Sequence, residues 1–301
     1  MATPDGGTDK ATLAEARGLA EAMPALLVEA RRIASTILSG WHSRRRAGPG
    51  EAFWQFRPFA SGEPAATIDW RRSARDEHLY VREREWEAAH TVWLAPDLSA
   101  SMRFRSRLAP IDKQARTVVL TLALAELLAR GGERVGLLGD GPQVLSRNAA
   151  EKIAGALLGA GEEWPDARQL GRFSELIVIG DFLDPIDEIE KRLDAVAAAG
   201  ARAHLIQVVD PIEESFPYTG RTEFTDPESG YRRLIGRAES IALEYRLRLG
   251  ERRDVLVERC RRLAWTWLIH HTDRPPTELL MQLAGRLADR GGIERQPVRA
   301  A

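Results

Sequence analysis

The chain has 301 residues and a formal net charge of −1, with 44% hydrophobic and 29% charged residues. This length accommodates one sizeable α/β domain with a smaller appended element, and the composition is typical of a folded globular protein. A net charge near zero excludes a global electrostatic field that would draw the whole molecule to nucleic acid or to an anionic membrane.

Cysteine usage and the apolar runs bear on the cellular compartment. Cys260 is the single cysteine, which excludes an intramolecular disulfide and predicts a buried structural thiol in a reducing environment. No apolar run approaches the ~20 residues that a membrane-spanning helix needs, and a secretory signal is not visible. We therefore expect a cytoplasmic protein without membrane insertion.

Residues 1–47 predict a polar tail followed by an amphipathic helix. Apolar residues recur at spacings of three and four from Leu13 to Ile37, with charged residues on the opposite face. Pro24 is expected to kink this helix or to split it in two. Because the polar face mixes glutamates with arginines, a helix packed on its own domain is favoured over a membrane-surface helix.

Residues 48–90 form a segment rich in arginine and aromatic residues, for which we predict irregular or β-rich structure. Its candidate cluster contains Arg57, Asp69 and Arg75 beside Trp70. A guanidinium and a carboxylate form bidentate hydrogen bonds, and the indole offers a stacking face. The cluster is interpreted as a salt-bridged structural network in preference to a partner-binding surface, and both interpretations remain open.

Residues 91–301 alternate strands and helices, which predicts a doubly wound, mostly parallel α/β sheet covered on both faces. An insertion with a hairpin is expected at about 210–236, followed by a long charged helix and a last strand. The expected strands are TVWLAPD, ERVGLLG, QVLS in an antiparallel hairpin, ELIVIGD, AHLIQVV and TWLIH, and the helices lie at about 111–130, 149–158, 185–199, 237–263 and from Pro275 onward.

Acidic and hydroxyl side chains follow the first and fourth strands of this domain. Asp97, Ser99 and Ser101 come after the first strand, and Asp181 ends the fourth. In a doubly wound sheet, ligands bind at the carboxyl ends of the strands, where the strand order reverses. We therefore expect Asp97, Ser99 and Asp181 to lie together at this edge.

The pattern Asp-x-Ser-x-Ser resembles the metal-ion-dependent adhesion site of von Willebrand factor A domains. Hard divalent cations prefer carboxylate, hydroxyl and water oxygens. The resemblance implies that Ser99 and Ser101 ligate Mg²⁺ or Mn²⁺ through their hydroxyls, with Asp97 and Asp181 holding the ion directly or through water. The remaining coordination position would then take a carboxylate of a partner protein.

One ligand of that site has no counterpart in this chain. The family site uses a threonine from a middle loop, but no threonine occurs between Thr121 and Thr219, and Ser146 is the one hydroxyl in a suitable loop. We therefore expect weak binding of the metal ion. The alternative interpretation is structural, with Asp97 accepting backbone hydrogen bonds and Ser99 or Ser101 capping the next helix.

A second resemblance covers most of the chain from Gly50 onward. Its first elements, in order and spacing, are Phe56, Arg57, Pro58, Phe59, Gly62, Ile68, Asp69, Trp70, Arg71, Arg72, Ser73, Ala74, Arg75, Val81, Arg82 and Glu83. Later elements are Phe216, Pro217, Gly220, Glu223, Phe224, Asp226 and Gly230. Together they resemble a bacterial family known as domain of unknown function 58, in which this signature runs directly into the Asp-x-Ser-x-Ser-Met strand end.

This resemblance implies a function in protein assembly. Members of the family are often encoded beside MoxR-type AAA+ ATPases and are thought to act with them in assembling or activating other proteins. We therefore expect a non-enzymatic adaptor whose partner is such an ATPase or its client protein. Many members carry transmembrane helices, whereas this sequence contains no such segment.

The sequence gives less support to two other functional classes, a nucleic-acid-binding protein and an enzyme. A nucleic-acid interface would use the arginines between Arg44 and Arg84, with Trp54, Trp70 and Tyr80 as stacking platforms, but interleaved acidic residues cancel the positive field, so no nucleic-acid partner is expected.

An enzyme, such as a metal-dependent hydrolase, would use Asp97 as a nucleophile, or His270, His271 and Asp273 as an acid–base or metal group. We expect both histidines in a solvated surface loop after the last strand. The sequence contains no Gly-rich phosphate loop, nucleophile elbow or zinc-protease helix, so catalysis is not expected.

Overall fold

The computed structural model describes residues 8–42, 53–59, 68–75, 78–84, 91–139, 141, 143–144, 146, 148–161 and 166–293. The chain divides into two compact units, one of residues 41–89 and the other of residues 1–40 with 90–301. The strands are β1 (Phe53–Pro58), β2 (Tyr80–Arg84), β3 (Thr91–Pro96), β4 (Arg134–Leu137), β5 (Gln143–Val144), β6 (Glu175–Gly180), β7 (Arg202–Val209), β8 (Thr222–Thr225), β9 (Arg232–Ile235) and β10 (Thr266–His271). The helices are α1 (Thr8–His42), α2 (Trp70–Ser73), α3 (Lys113–Arg130), α4 (Ala149–Leu157), α5 (Ile186–Ala198), α6 (Pro211–Ser215), α7 (Ala242–Arg262) and α8 (Pro276–Ile293).

The smaller unit is a two-stranded antiparallel ladder with one turn of helix. Strands β1 and β2 pair with Pro58 opposite Tyr80. The single turn α2 begins at Asp69, whose Oδ1 accepts the Arg72 N–H at 2.9 Å. The hydroxyl oxygen of Ser73 accepts the Tyr80 N–H at 2.9 Å, which fixes α2 to β2.

The larger unit is a mixed α/β domain with a mostly parallel six-stranded sheet. The strand order is β10-β7-β6-β3-β4-β5, and β5 alone of these six runs antiparallel to its neighbour. Seven of the eight residues of β7 are buried, as expected for a parallel strand covered on both faces. The sequence-based prediction of the strands and of their parallel arrangement is therefore confirmed.

One core cluster lies between the sheet and helices α5 and α7. Leu176 and Leu205 of the sheet pack in the same cluster as Leu193 of α5 and Leu256 of α7. Cys260 of α7 also belongs to it, and burial raises the pKa of its thiol to about 12. The predicted buried structural thiol is confirmed.

Helix α1 is continuous through Pro24, so of the two expected outcomes, a kink or a split, the split does not occur. An interior proline removes one backbone hydrogen bond and its ring crowds the carbonyl four residues earlier, which destabilises the helix at that point. The apolar stripe is buried from Met23 onward, with Met23, Ala30 and Ile33 each at most 6% exposed. Burial of this stripe offsets the lost hydrogen bond.

The predicted insertion contains α6 and the hairpin of β8 and β9. Thr222 pairs with Ile235, and the turn at residues 226–230 joins the two strands, as the sequence predicts. Aromatic rings attach this insertion to α7, because the Phe216 ring lies 4.7 Å from the Tyr245 ring and 5.7 Å from the Phe224 ring between centroids.

The expected surface loop at His270 and His271 is wrong. Both residues belong to β10, which pairs with β7 up to His271 opposite Val209. Strand pairing buries His270 to 3% exposure. Among the residues that the structure describes, no helix is long and apolar enough to cross a bilayer.

Candidate functional site

The candidate site lies where β3 and β6 end side by side. Pro96 pairs with Ile179, and the Asp97 N–H donates to the Ile179 carbonyl at 2.8 Å. Strand β4 lies on the other side of β3, so the strand order reverses at this position. A Cβ atom added to Gly180 would lie 2.9 Å from the Asp97 Cβ, so glycine is needed for this close approach.

A chain of hydrogen bonds joins the four predicted residues. The Asp97 Oδ1 accepts the Ser99 N–H at 2.9 Å, and the Ser99 and Ser101 hydroxyls lie 3.2 Å apart. The Ser101 hydroxyl donates to the Asp181 Oδ2 at 2.8 Å. The prediction that Asp97, Ser99 and Asp181 meet at the carboxyl edge of the sheet is therefore confirmed.

The structure adds a buried lysine that sequence analysis missed. Lys113 is the first residue of α3, is 1% exposed, and donates from Nζ to the Asp181 Oδ2 at 2.9 Å and to the Glu213 Oε1 at 2.7 Å. One feature of the composition could have drawn attention to it. Lys113 is one of only four lysines in this chain, in which arginines supply most of the positive charge.

Glu213 connects the site to the end of β7. The capping box of α6 holds its other oxygen, since Oε2 accepts the Asp210 N–H at 2.8 Å. The Asp210 Oδ2 in turn accepts the N–H of Ser106, which lies in the loop after β3, at 2.8 Å. Lys113 therefore joins segments that follow three neighbouring strands of the sheet.

A further carboxylate reaches the site from the insertion hairpin. The Ser101 N–H donates to the Glu228 Oε1 at 2.8 Å, although the two residues are 127 positions apart in the chain. Glu228 is exposed and lies in the turn between β8 and β9. At the carboxyl edge of the sheet, the Ser101 N–H is thus a backbone donor that already binds the Glu228 carboxylate.

The charges of the cluster do not balance. Asp97, Asp181 and Glu213 are three carboxylates against the one ammonium of Lys113. Burial raises the pKa of Asp97 to about 6; hydrogen bonds from Ser99 oppose this rise, and the charge of Asp181 adds to it. Burial lowers the pKa of Lys113, but Asp181 and Glu213 together more than offset this and hold it above its ordinary value. Lys113 is therefore charged at neutral pH.

The donor set does not fit a divalent ion bound directly to Asp181. Its Oδ2 accepts from Lys113 and Ser101, and its Oδ1 accepts the Leu183 N–H at 3.1 Å, so an ion would have to displace the ammonium. In the described part of the chain, no group of three or more His, Cys, Asp or Glu side chains is arranged to hold a metal. The Mg²⁺ or Mn²⁺ site at Asp97, Ser99, Ser101 and Asp181 stays a prediction.

The proposed substitute for the missing threonine has a different contact. Ser146 donates to the Asn148 Oδ1 at 2.5 Å, and its carbonyl accepts the Ala149 N–H at 3.1 Å, which places it at the start of α4. Ser99 precedes the 3₁₀ turn Ala100–Arg103 but makes no side-chain cap bond to it. Asp97 does accept a backbone N–H, as the structural interpretation expects.

Both candidate acid–base histidines lie in β10. Burial lowers the pKa of His270 to about 3, and the nearby Arg116 charge adds to this. The His271 Nε2 lies 2.8 Å from the Glu214 Oε2. His270 is therefore a neutral core residue and not a solvated one.

The Arg57, Asp69, Trp70 and Arg75 cluster belongs to the smaller unit. Asp69 caps α2, and Trp70 is 61% exposed. The side chain of Arg57 lies outside the described residues. The cap gives Asp69 a structural role in its own turn, and the salt-bridged network with Arg57 and Arg75 stays a prediction.

Two solved structures resemble this chain distantly. BatB from Bacteroides thetaiotaomicron, a conserved hypothetical protein, has a TM-score of 0.36 and 15% identity over 66% of this chain and 99% of that one. An aerotolerance-related membrane protein from Bacteroides fragilis has a TM-score of 0.38 and 14% identity over 65% of this chain and 99% of that one. These likenesses are too distant to carry a conclusion about this chain.

Sequence relatives and a family model give a closer result. The uncharacterized proteins Rv1480 of Mycobacterium tuberculosis and Mb1516 of Mycobacterium bovis are each 27% identical over 231 residues, which is 70% of this chain and 72% of theirs. The model of the family described as protein of unknown function DUF58 matches residues 55–254. The chain therefore belongs to the DUF58 family.

Proposed function

We propose that this protein is a non-enzymatic adaptor or assembly factor that docks a partner protein through the edge bearing Asp97, Ser99 and Ser101. Its partner is a MoxR-type AAA+ ATPase or a client of that ATPase. In this proposal the larger unit is a von Willebrand factor A-type domain, and the edge corresponds to a degenerate adhesion site of that fold.

The contact between Ser101 and Glu228 carries this proposal. The Ser101 N–H holds the Glu228 carboxylate at 2.8 Å at the carboxyl edge of the sheet, where α/β proteins bind ligands. Glu228 is exposed, so this bond is in contact with solvent and an external carboxylate can compete for it. An acidic side chain of the partner would accept the same hydrogen bond.

The hydrogen bonds of the Ser99 and Ser101 hydroxyls support a binding role over a catalytic one. A nucleophilic serine needs an adjacent base that is itself oriented by a third group. Ser101 instead donates to Asp181, which Lys113 already neutralises, and Ser99 lies against Ser101. The choice of an AAA+ partner rests on membership of the DUF58 family and on the association that the sequence resemblance implies.

The affinity of the purified MoxR-type ATPase from the same bacterium for Ser99→Ala tests this function. We expect the dissociation constant to rise about fivefold or more, since a lost hydrogen bond is worth about 1 kcal/mol. Ser146→Ala is the matched control, because it removes a hydroxyl from another loop of the domain. Equal affinities for the wild type and Ser99→Ala would locate the interface elsewhere, first at the segment around Trp70.

A further inference from the structure

We propose that the Lys113 ammonium is the resident cation of this edge and holds Asp181 and Glu213 in the place that a divalent metal ion would otherwise take. The docking edge then works without metal. This inference rests on the proposed function only for the importance of the edge, since the position of Lys113 is independent of any partner.

The contacts of Lys113 are those of a bound cation. Its Nζ lies 2.9 Å from the Asp181 Oδ2 and 2.7 Å from the Glu213 Oε1, and the Phe104 ring centroid lies 6.0 Å away. An ammonium is a compact point charge with three donors, whereas a guanidinium is planar and forked. A lysine therefore reproduces a small cation better than the arginines that dominate this chain.

The location of the ammonium matters as much as its charge. Asp181 follows β6, Glu213 lies in the helix after β7, and Lys113 begins the helix that follows the β3 loop. One cation thus cross-links the segments after three neighbouring strands. A metal ion at the same edge would need the Asp181 Oδ2 and would be repelled by an ammonium at hydrogen-bond distance from that oxygen.

Lys113 acts on the docking residues through Asp181. The Asp181 Oδ2 accepts from both Lys113 and Ser101, so the ammonium fixes the oxygen that orients the Ser101 hydroxyl. Ser101 in turn supplies the N–H that holds Glu228. Lys113 is therefore a positioning residue, and it is too deeply buried to touch a partner.

The test compares the response of melting temperature to Mg²⁺ in the wild type and in Lys113→Met, which keeps an apolar stem but removes the charge. We expect millimolar Mg²⁺ to leave the wild type unchanged relative to EDTA. Lys113→Met should melt lower in EDTA, because buried Asp181 and partly buried Glu213 lose their counter-charge, and Mg²⁺ should restore part of the loss. Lys113→Met/Asp181→Asn should lose this response, and Lys191→Met, at an exposed lysine, should behave as the wild type.

A melting temperature of Lys113→Met that falls but ignores Mg²⁺ would contradict the inference, since it would make Lys113 an ordinary structural ion pair. Calorimetric titration of the wild type with Mn²⁺ gives a second test that does not depend on the variant folding. Saturable binding that Asp97→Ala removes would overturn the inference.

Partner affinity separates this inference from the proposed function. If EDTA abolishes wild-type binding to the nucleotide-free ATPase, the docking edge survives but Lys113 is not its resident cation. If Ser99→Ala binds the ATPase normally while Lys113→Met gains a Mg²⁺ response, the cation assignment stands and the docking surface lies elsewhere. Wild-type binding that is unchanged by EDTA supports both.

Discussion

Asp97 is protonated more readily in the folded chain than in the unfolded chain. Its pKa is about 6 in the folded state against an ordinary value of 3.8. Between these two values the folded state binds more protons, so the contribution of Asp97 to the free energy of unfolding falls as pH rises through this window. The full shift corresponds to about 3 kcal/mol, which partial exposure and solvent screening reduce to about 1–2 kcal/mol.

Buried His270 changes the free energy of unfolding with pH in the opposite direction to Asp97. Its folded pKa of about 3 lies below the ordinary 6.5, so the unfolded chain binds more protons between these values. The stability that the neutral His270 contributes is therefore lost as pH falls from about 6.5 towards about 3. In the wild type the two residues offset one another in the overlapping range.

Asp97→Asn separates these two effects. We expect the variant to be about 1–2 kcal/mol more stable than the wild type at about pH 7 and equal to it at about pH 4, because the wild-type carboxyl is then protonated. Urea unfolding at both values measures this difference. The matched control is Asp254→Asn, which removes an exposed carboxylate in the middle of α7. A variant less stable than the wild type at neutral pH would contradict the assignment.

At the residue scale, the sequence predicts those site residues that directly follow the ends of parallel strands. Asp97, Ser99 and Asp181 were found because parallel strands place their carboxyl ends at one edge. Lys113 was not found, because its partners lie 68 and 100 residues later in the chain. A lysine at a helix start is ordinarily solvated, and only the packing of three segments makes it a buried cation.

At the element scale, the β8–β9 hairpin contacts the site through one exposed hydrogen bond. Its bond to Ser101 is exposed, so its net contribution to stability is about 1 kcal/mol or less. If Glu228 occupies the partner's position, Glu228→Gln should raise affinity for the ATPase up to about fivefold by weakening this competitor.

Binding measurements on Glu228→Gln and on Glu223→Gln, which changes an acidic residue of the same hairpin away from the turn, test that expectation. Hydrogen exchange of residues 222–235 should accelerate in Glu228→Gln alone. Lower affinity in Glu228→Gln would mean that Glu228 contacts the partner directly and does not compete with it.

Turn chemistry made the hairpin itself predictable, since residues 226–230 carry a proline and a glycine between two short strands. Its docking on Ser101 was not predictable, because no local pattern specifies a contact across 127 residues. The end of β10 was misassigned for a related reason. From sequence, His270 and His271 are typical of a polar loop. In the structure they pair with β7, and His270 is buried.

At the scale of the whole molecule, alternating strands and helices were enough to predict a mostly parallel α/β sheet and the meeting of β3 and β6. Right-handed crossovers leave few arrangements for such a chain. The sequence did not reveal that the acidic edge contains its own cation. Our proposal that the edge docks a partner without metal rests on this ammonium and its two carboxylate contacts.

The affinity of Asp97→Ala for the MoxR-type ATPase tests the central claim most directly. Asp97 is a partly buried carboxylate, and burial disfavours its charged form. Its removal should therefore leave the fold intact at neutral pH. The Ser99 N–H would lose its acceptor, which releases the loop that presents Ser101. We expect a folded variant with at least about tenfold weaker binding, equivalent to about 1.4 kcal/mol. A folded Asp97→Ala protein that binds the ATPase as tightly as the wild type would contradict docking at this edge.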